Sequence, residues 1–225
     1  MKILKDIKLD IPEDIGREFL TKLMGGRLNP GIEAMLSQSR DISAASLQPS
    51  AIYDSFRITG ITGDSVNFES GYLFKGPNIS KILNGSETAV IFIFTLGKNI
   101  DDAVNNLRDK GDTLAAIVMD AVTTSMLGLV GEYVGKSIKA ENLVEKGYGS
   151  TCTYSPGQYK WTIEEQREIF HMVDGSRIGV NLNDSCLMLP FKSVSGVYGF
   201  GPEEKINKTR VACDLCPRED CIGRK

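Results

Sequence analysis

The stretch from Thr113 to Asn142 restricts this chain more than any other. Leu114, Ile117, Val118, Ala121, Val122, Ser125, Leu129 and Val130 recur at three and four residues, which predicts a helix, the longest in the chain and the spine of its core. Leu114 to Val130 is also the segment nearest in character to a membrane span. Asp112, Asp120, Thr123, Thr124 and Ser125 sit in or beside it, so a buried helix of a soluble domain is the expectation.

Ala89 to Leu96 is an unbroken apolar run of strand length, which predicts a central strand covered on both faces. Gly97 follows, and a helical pattern runs from Asn99 to Leu107; strand, glycine and helix in that order often hold a ligand, and as often are plain turn chemistry. Nearer the amino terminus, alternation predicts a strand over Ile3 to Ile11 and a helix over Pro12 to Met24, stopped by Gly25-Gly26. A second helix is expected over Gly31 to Ser46, an extended stretch over Ala51 to Ile61, and a short hairpin from Ser65–Glu69 and Tyr72–Lys75 around Ser70-Gly71.

With 225 residues, 41% of them hydrophobic and 24% charged, the chain has material for one substantial core, or one domain with an appendage. A net charge of −3 argues against a nucleic-acid partner. Met1 to Lys8 is too charged for a signal peptide, so the expected location is cytoplasmic, with no membrane partner.

Two late segments suit a ligand-facing surface. Tyr154-Ser155-Pro156-Gly157 is turn chemistry: proline presets one dihedral, and glycine accepts positive φ and lets a ligand approach the main chain. Ser193-Val194-Ser195-Gly196-Val197-Tyr198-Gly199-Phe200-Gly201-Pro202 interleaves small and apolar residues, as in a strand that another group approaches closely. Their bland reading is a turn and a bulged strand. Between them, Thr162 with Glu165 has capping-box spacing for a helix that ends at Asp174-Gly175. His171, the only histidine, falls on its last turn, where the dipole favours a cation. A single histidine excludes a multi-histidine metal centre.

Cys213, Cys216 and Cys221 form C-x2-C-x4-C, a spacing that in a cytosolic chain favours thiolate ligation of metal over a disulfide. Three thiolates are one short of a closed zinc site or an iron–sulfur cluster. Cys186, Cys152, a carboxylate such as Asp220 or an external group are the candidates for the fourth position, and an iron–sulfur cluster ranks above zinc. A reduced tail without metal is the alternative.

Gly131-Glu132-Tyr133, Tyr154-Ser155-Pro156-Gly157, Ser185-Cys186-Leu187-Met188-Leu189-Pro190 and Ser193-Val194-Ser195-Gly196-Val197-Tyr198 together resemble the activation region of vitamin B12-dependent methionine synthase. That family carries a glutamate on a helix, an Arg-x-Ser/Ala-Pro-Gly-Tyr loop, a Ser/Ala-Met-x-Pro turn and a Ser-Val-Ser-Gly-x-Tyr strand. Order and spacing agree over about residues 85 to 202. The chain departs from the pattern at Thr153, in place of the arginine, and at Gln158, in place of the tyrosine, with Tyr159 one position later. Threonine cannot make the two-pronged contact of an arginine with a carboxylate, which leaves that contact to Lys160 or to another residue brought close by the fold.

The resemblance implies one α+β domain, with a twisted, mostly antiparallel sheet backed by long helices. Residues 1–84 are expected to pack on a core of residues 85–205, with a cysteine-rich tail over residues 206–225. It implies binding of S-adenosylmethionine by Glu132, Thr153, Ser155, Pro156, Gly157, Gln158, Tyr159, Ser195, Gly196 and Tyr198, with Glu132 meeting the ammonium or ribose and Tyr198 facing the corrin. Read without the resemblance, Glu132 is a solvated helix carboxylate. No residue is implied to be catalytic. The chain lacks an Asp-x-His-x-x-Gly motif, so cobalamin is expected from a partner, a corrinoid methyltransferase or corrinoid protein, with a flavodoxin or ferredoxin as electron donor. Two functions follow: a free-standing activator that supports reductive methylation of cob(II)alamin, or a metal-binding corrinoid-protein partner that docks or delivers electrons without S-adenosylmethionine. A zinc-stabilised interaction module is a third.

Overall fold

The computed structural model describes residues 1–143, 147–207, 214 and 216–219. Its strands are β1 (Lys2–Leu4), β2 (Ser50–Thr62), β3 (Ser65–Phe68), β4 (Leu73–Lys75), β5 (Thr88–Thr95), β6 (Tyr148–Ser150), β7 (Asn181–Leu182), β8 (Met188–Leu189) and β9 (Ser193–Pro202). Its α-helices are α1 (Arg17–Leu23), α2 (Pro30–Ser46), α3 (Pro77–Leu83), α4 (Lys98–Asp109), α5 (Thr113–Asn142) and α6 (Gln166–Met172).

The apolar run forms β5, and Ala89 to Thr95 are all buried because layers cover both faces of the sheet. β5 pairs antiparallel with β2 from Ser50↔Thr95 to Arg57↔Thr88, and with β9 from Thr88↔Phe200 to Thr95↔Ser193. The main sheet runs β4-β3-β2-β5-β9-β6, with β1 on the first half of β2 and β7-β8 a separate ribbon. Between Ile58 and Gly60 the register shifts, and there β2 passes from β5 to β3. The fold is α+β, and each strand pairing among the described residues is antiparallel.

Strand alternation divides β5 between two cores. Val90, Phe92 and Phe94 face the first, built with α1, α2 and α5; Ile91 and Ile93 face the second, with α3, Trp161 and α6. α5 spans the residues expected from its periodicity, and Asp112 caps it by accepting from the Ala115 amide at 3.1 Å. It is long and apolar enough to cross a membrane, yet Val118, Val122, Met126, Val130, Val134 and Ile138 are buried against the sheet and its neighbouring helices.

The amino-terminal expectations need correction. The strand is only Lys2–Leu4, because Asp6 turns the chain at φ 55. The helix starts at Arg17 rather than Pro12, after tight turns that close Ile15 on Pro12 and Arg17 on Asp14. Gly16, left-handed at φ 83, supplies the reason: a Cβ there would lie 2.8 Å from Val122 Cα, so the chain kinks to press its backbone on α5. The capping box is also absent. Thr162 makes no side-chain cap; Glu165 instead accepts from the Lys75 amide at 2.9 Å and the Trp161 indole at 3.5 Å, and a 3-10 turn, Ile163–Glu165, precedes α6.

Candidate functional site

Residues 148–154 run along the free side of β9 and set the candidate loop. The Thr151 amide donates to the Gly199 carbonyl at 2.9 Å, and Tyr154 and Val197 exchange bonds of 3.1 and 2.9 Å. Three steps on one chain thus face two on the other, so Cys152 and Thr153 form a bulge at the sheet edge. Tyr154 is buried, its ring stacked on Trp161 with centroids 5.4 Å apart.

From that anchor the loop closes on itself. Gly157 donates to the Trp161 carbonyl at 2.8 Å, Gln158 to Ser155 at 3.1 Å, and Trp161 back to Gln158 at 2.9 Å. The Gln158 side chain accepts from the Ser155 amide at 3.1 Å, so the residue in the tyrosine position stabilises the turn from within. Gly157 has φ 87, the conformation its position predicts. Tyr154 Oη donates to the Tyr159 carbonyl, which also accepts from Asn78 Nδ2 at 2.9 Å. Tyr159 and Lys160 form the exposed apex, with Lys160 Nζ 5.2 Å from the Tyr159 ring centroid.

Gly196 lets this loop meet the sheet. A Cβ there would stand 2.8 Å from Phe92 Cζ and 2.9 Å from both Ser155 Oγ and the Tyr154 carbonyl. Tyr198, two residues on and on the same face, packs on Phe92 with ring centroids 5.6 Å apart. Its hydroxyl lies against α5, where a Cβ on Gly135 would be 2.7 Å away. Lys139 Nζ stands 5.3 Å from the Tyr198 ring centroid. Burial pushes the Tyr198 phenol above its ordinary range, helped by the Cys152 thiol.

Glu132, Gly135 and Lys139 share one face of α5 by their three- and four-residue spacing. Glu132 is exposed, and no hydrogen bond or ion pair engages its carboxylate among the described residues. Ser155, Gly196 and Tyr198 therefore lie on the α5 side of the sheet, where Tyr198 reaches Gly135, with Thr153 at the sheet edge. Ser195 lies on the opposite side: it is 1% exposed and donates to Gln166 of α6. Sequence reasoning missed Lys139, which was readable as one turn past Gly135, and Gln166, for which no local signal existed.

Burial pushes the Cys152 thiol up to about 11; Asp214 adds to this, while the thiol's own backbone hydrogen bond and Lys139 oppose it. Burial likewise raises the Tyr154 phenol, with Asn78 opposing and Cys152 and Cys216 adding. Cys213 and Cys221 lie outside the described residues, and among the described residues no three histidine, cysteine or acidic side chains converge to hold a metal. Cys186 is 2% exposed, in a turn closed by its amide on Asn183 at 3.0 Å. His171 is a surface side chain beside Glu168. A concavity of about 630 Å³ lined by Lys5, Lys8, Lys98 and Arg177, where Gly97 falls, shares no residue with the loop or the α5 face.

The fold resembles the crystal structure of the MetH reactivation domain bound to AdoHcy, with a TM-score of 0.64 and 15% sequence identity over 92% of this chain and 81% of that one. The family model for the vitamin B12 dependent methionine synthase activation domain matches residues 81–211, which include α5, the 155–160 loop and β9. As that match spans more than half of the sequence, the chain belongs to the family of the vitamin B12 dependent methionine synthase activation domain.

Proposed function

We propose that this protein docks on a cobalamin-carrying methyltransferase and holds S-adenosylmethionine for the reductive methylation of cob(II)alamin. With one electron from a flavodoxin- or ferredoxin-type donor, the partner's cobalamin would supply the nucleophile and S-adenosylmethionine the methyl group, with S-adenosylhomocysteine as the leaving product. Cobalamin and S-adenosylmethionine carry the chemistry; the protein supplies position and electrostatics, in the cytoplasm. The observation that carries this reading is that the self-closed loop sets Ser155 Oγ against Gly196 while Tyr198, on the same face of β9, reaches Gly135 of α5, the helix that bears Glu132. Family membership supports it.

Ser155, Pro156 and Gly157 would present main-chain groups to the ligand, and the Glu132 carboxylate would meet its ammonium or ribose. Calorimetric titration of anaerobically purified protein with S-adenosylmethionine tests this. Saturable binding is expected, and Glu132→Ala should weaken it about tenfold or more, the usual size of a lost charge-assisted hydrogen bond. Folded protein without saturable binding would overturn the reading.

The tail favours a metal as a second component. The spacing of Cys213, Cys216 and Cys221 supports these thiolates as ligands of an iron–sulfur cluster or zinc, with Cys152, Cys186, Asp220 or an external group in the fourth position. Iron, sulfide and zinc assayed on the same preparation should show bound metal that falls in Cys216→Ser, and a fall in Cys152→Ser or in Cys186→Ser would identify the fourth ligand. Wild-type protein purified anaerobically without metal would dismiss this component and leave the first standing.

A further inference from the structure

S-adenosylmethionine ends in an ammonium and a carboxylate, and Glu132 can answer only the first. Thr153, at the bulge on the sheet edge, carries no charge. We propose that Lys139 is the specificity-determining cation that receives the carboxylate of the ligand, an assignment that rests on the S-adenosylmethionine reading above.

Lys139 is placed for this by β9. Its ammonium is 5.3 Å from the Tyr198 ring centroid, a cation–π distance that fixes a long, flexible side chain on the Tyr198 side of the helix. Tyr198 Oη fills the space over Gly135, one turn earlier, where any side chain would displace it. Glu132 and Lys139 therefore bracket Tyr198 along one helix face, their Cα atoms about 10 Å apart at the helical rise. A zwitterionic head group lying beside Tyr198 along this face finds a carboxylate on one side and an ammonium on the other. Lys139 also sits in the last turn of α5, where the helix dipole favours a cation. Its charge reaches Cys152, the neighbour of Thr153, so it acts at the bulge itself.

The rival cations are worse placed. Lys160 stands over the Tyr159 ring at the exposed loop apex, 5.2 Å from its centroid. Lys136 follows Gly135 directly, about 100° further round the helix from the face that Tyr198 covers.

Calorimetric titration with two probes tests the assignment: S-adenosylhomocysteine, which keeps the amino-acid end, and 5′-methylthioadenosine, which lacks it. Lys139→Ala should bind S-adenosylhomocysteine about tenfold more weakly than wild type while its affinity for 5′-methylthioadenosine stays within about twofold. Lys139→Arg should retain both affinities within about threefold, and Lys136→Ala should bind as wild type does. Unchanged S-adenosylhomocysteine affinity in Lys139→Ala, or an equal loss of both probes, would overturn the assignment. Wild-type protein that binds neither probe would fail before any variant is made, and would take the S-adenosylmethionine reading down with it.

Discussion

Cys152 shows how one side chain at the site is tuned by its place in the chain. It sits in the bulge between Thr151 and Tyr154, half-buried, and its thiol is held up at about 11 against an ordinary 9.0. Between those values the unfolded chain has released the proton while the folded chain keeps it. Stability from this group is thus intact below pH 9 and declines as pH rises toward 11. Thermal midpoints of metal-free protein measured across that window should fall with pH, and Cys152→Ser should flatten part of the fall. Tyr154 and Tyr198, also raised by burial, remain in both proteins, so the difference between the two curves isolates the thiol. Equal slopes would show that Cys152 titrates as it does in the unfolded chain. Little of this is legible from residue type alone: the sequence offers Cys152 only as a candidate metal ligand, and its burial comes from packing against Tyr154 and β9, which no local pattern encodes.

At the scale of elements, legibility follows how local the deciding forces are. α5 and β5 were read closely, because a sustained three-four repeat and an unbroken apolar run each match one kind of burial. The Pro156-Gly157 turn was also read correctly, since its φ requirement lies in the residues themselves. β1 and α1 are shorter than their patterns predict because Asp6 turns the chain at φ 55 and Gly16 meets Val122, a contact distant in sequence. The same holds for Ser195, grouped with Gly196 and Tyr198 by sequence and separated from them by strand alternation. The α5–β9 contact over Gly135 is where elements and site meet. Gly135→Ala gains roughly 1 kcal/mol of helix propensity but places a methyl group 2.7 Å from the former position of Tyr198 Oη. Because that hydroxyl ends a rotatable side chain, the ring should swing away at small cost. Thermal unfolding should therefore change by less than about 1 kcal/mol while S-adenosylhomocysteine affinity falls several-fold. A large loss of stability would mean instead that Tyr198 is locked in place by the core.

For the molecule as a whole, the open issue is whether residues 1–84 form an appendage or share one folding unit with residues 85–205. β2 decides the physical expectation. It belongs to the first segment, yet it pairs with β5 over eight registered positions from Ser50↔Thr95 to Arg57↔Thr88. α2 of the same segment buries Leu36 in the core that α5 and β5 build. Detaching residues 1–84 would strip one side of β5 of its hydrogen bonds and uncover Val90, Phe92 and Phe94, so neither part should melt alone. Leu36→Ala on one side of the sheet and Ile169→Ala on the other remove fully buried side chains from different cores. Each should lower the stability of the same single transition by about 2–5 kcal/mol, with fluorescence of Trp161 and far-ultraviolet circular dichroism giving coincident curves. If Leu36→Ala instead produced an early transition by circular dichroism while Trp161 fluorescence melted later and unchanged, the first 84 residues would be a separate unit. The site would then rest on residues 85–205 alone, where Trp161, α5 and β9 all lie.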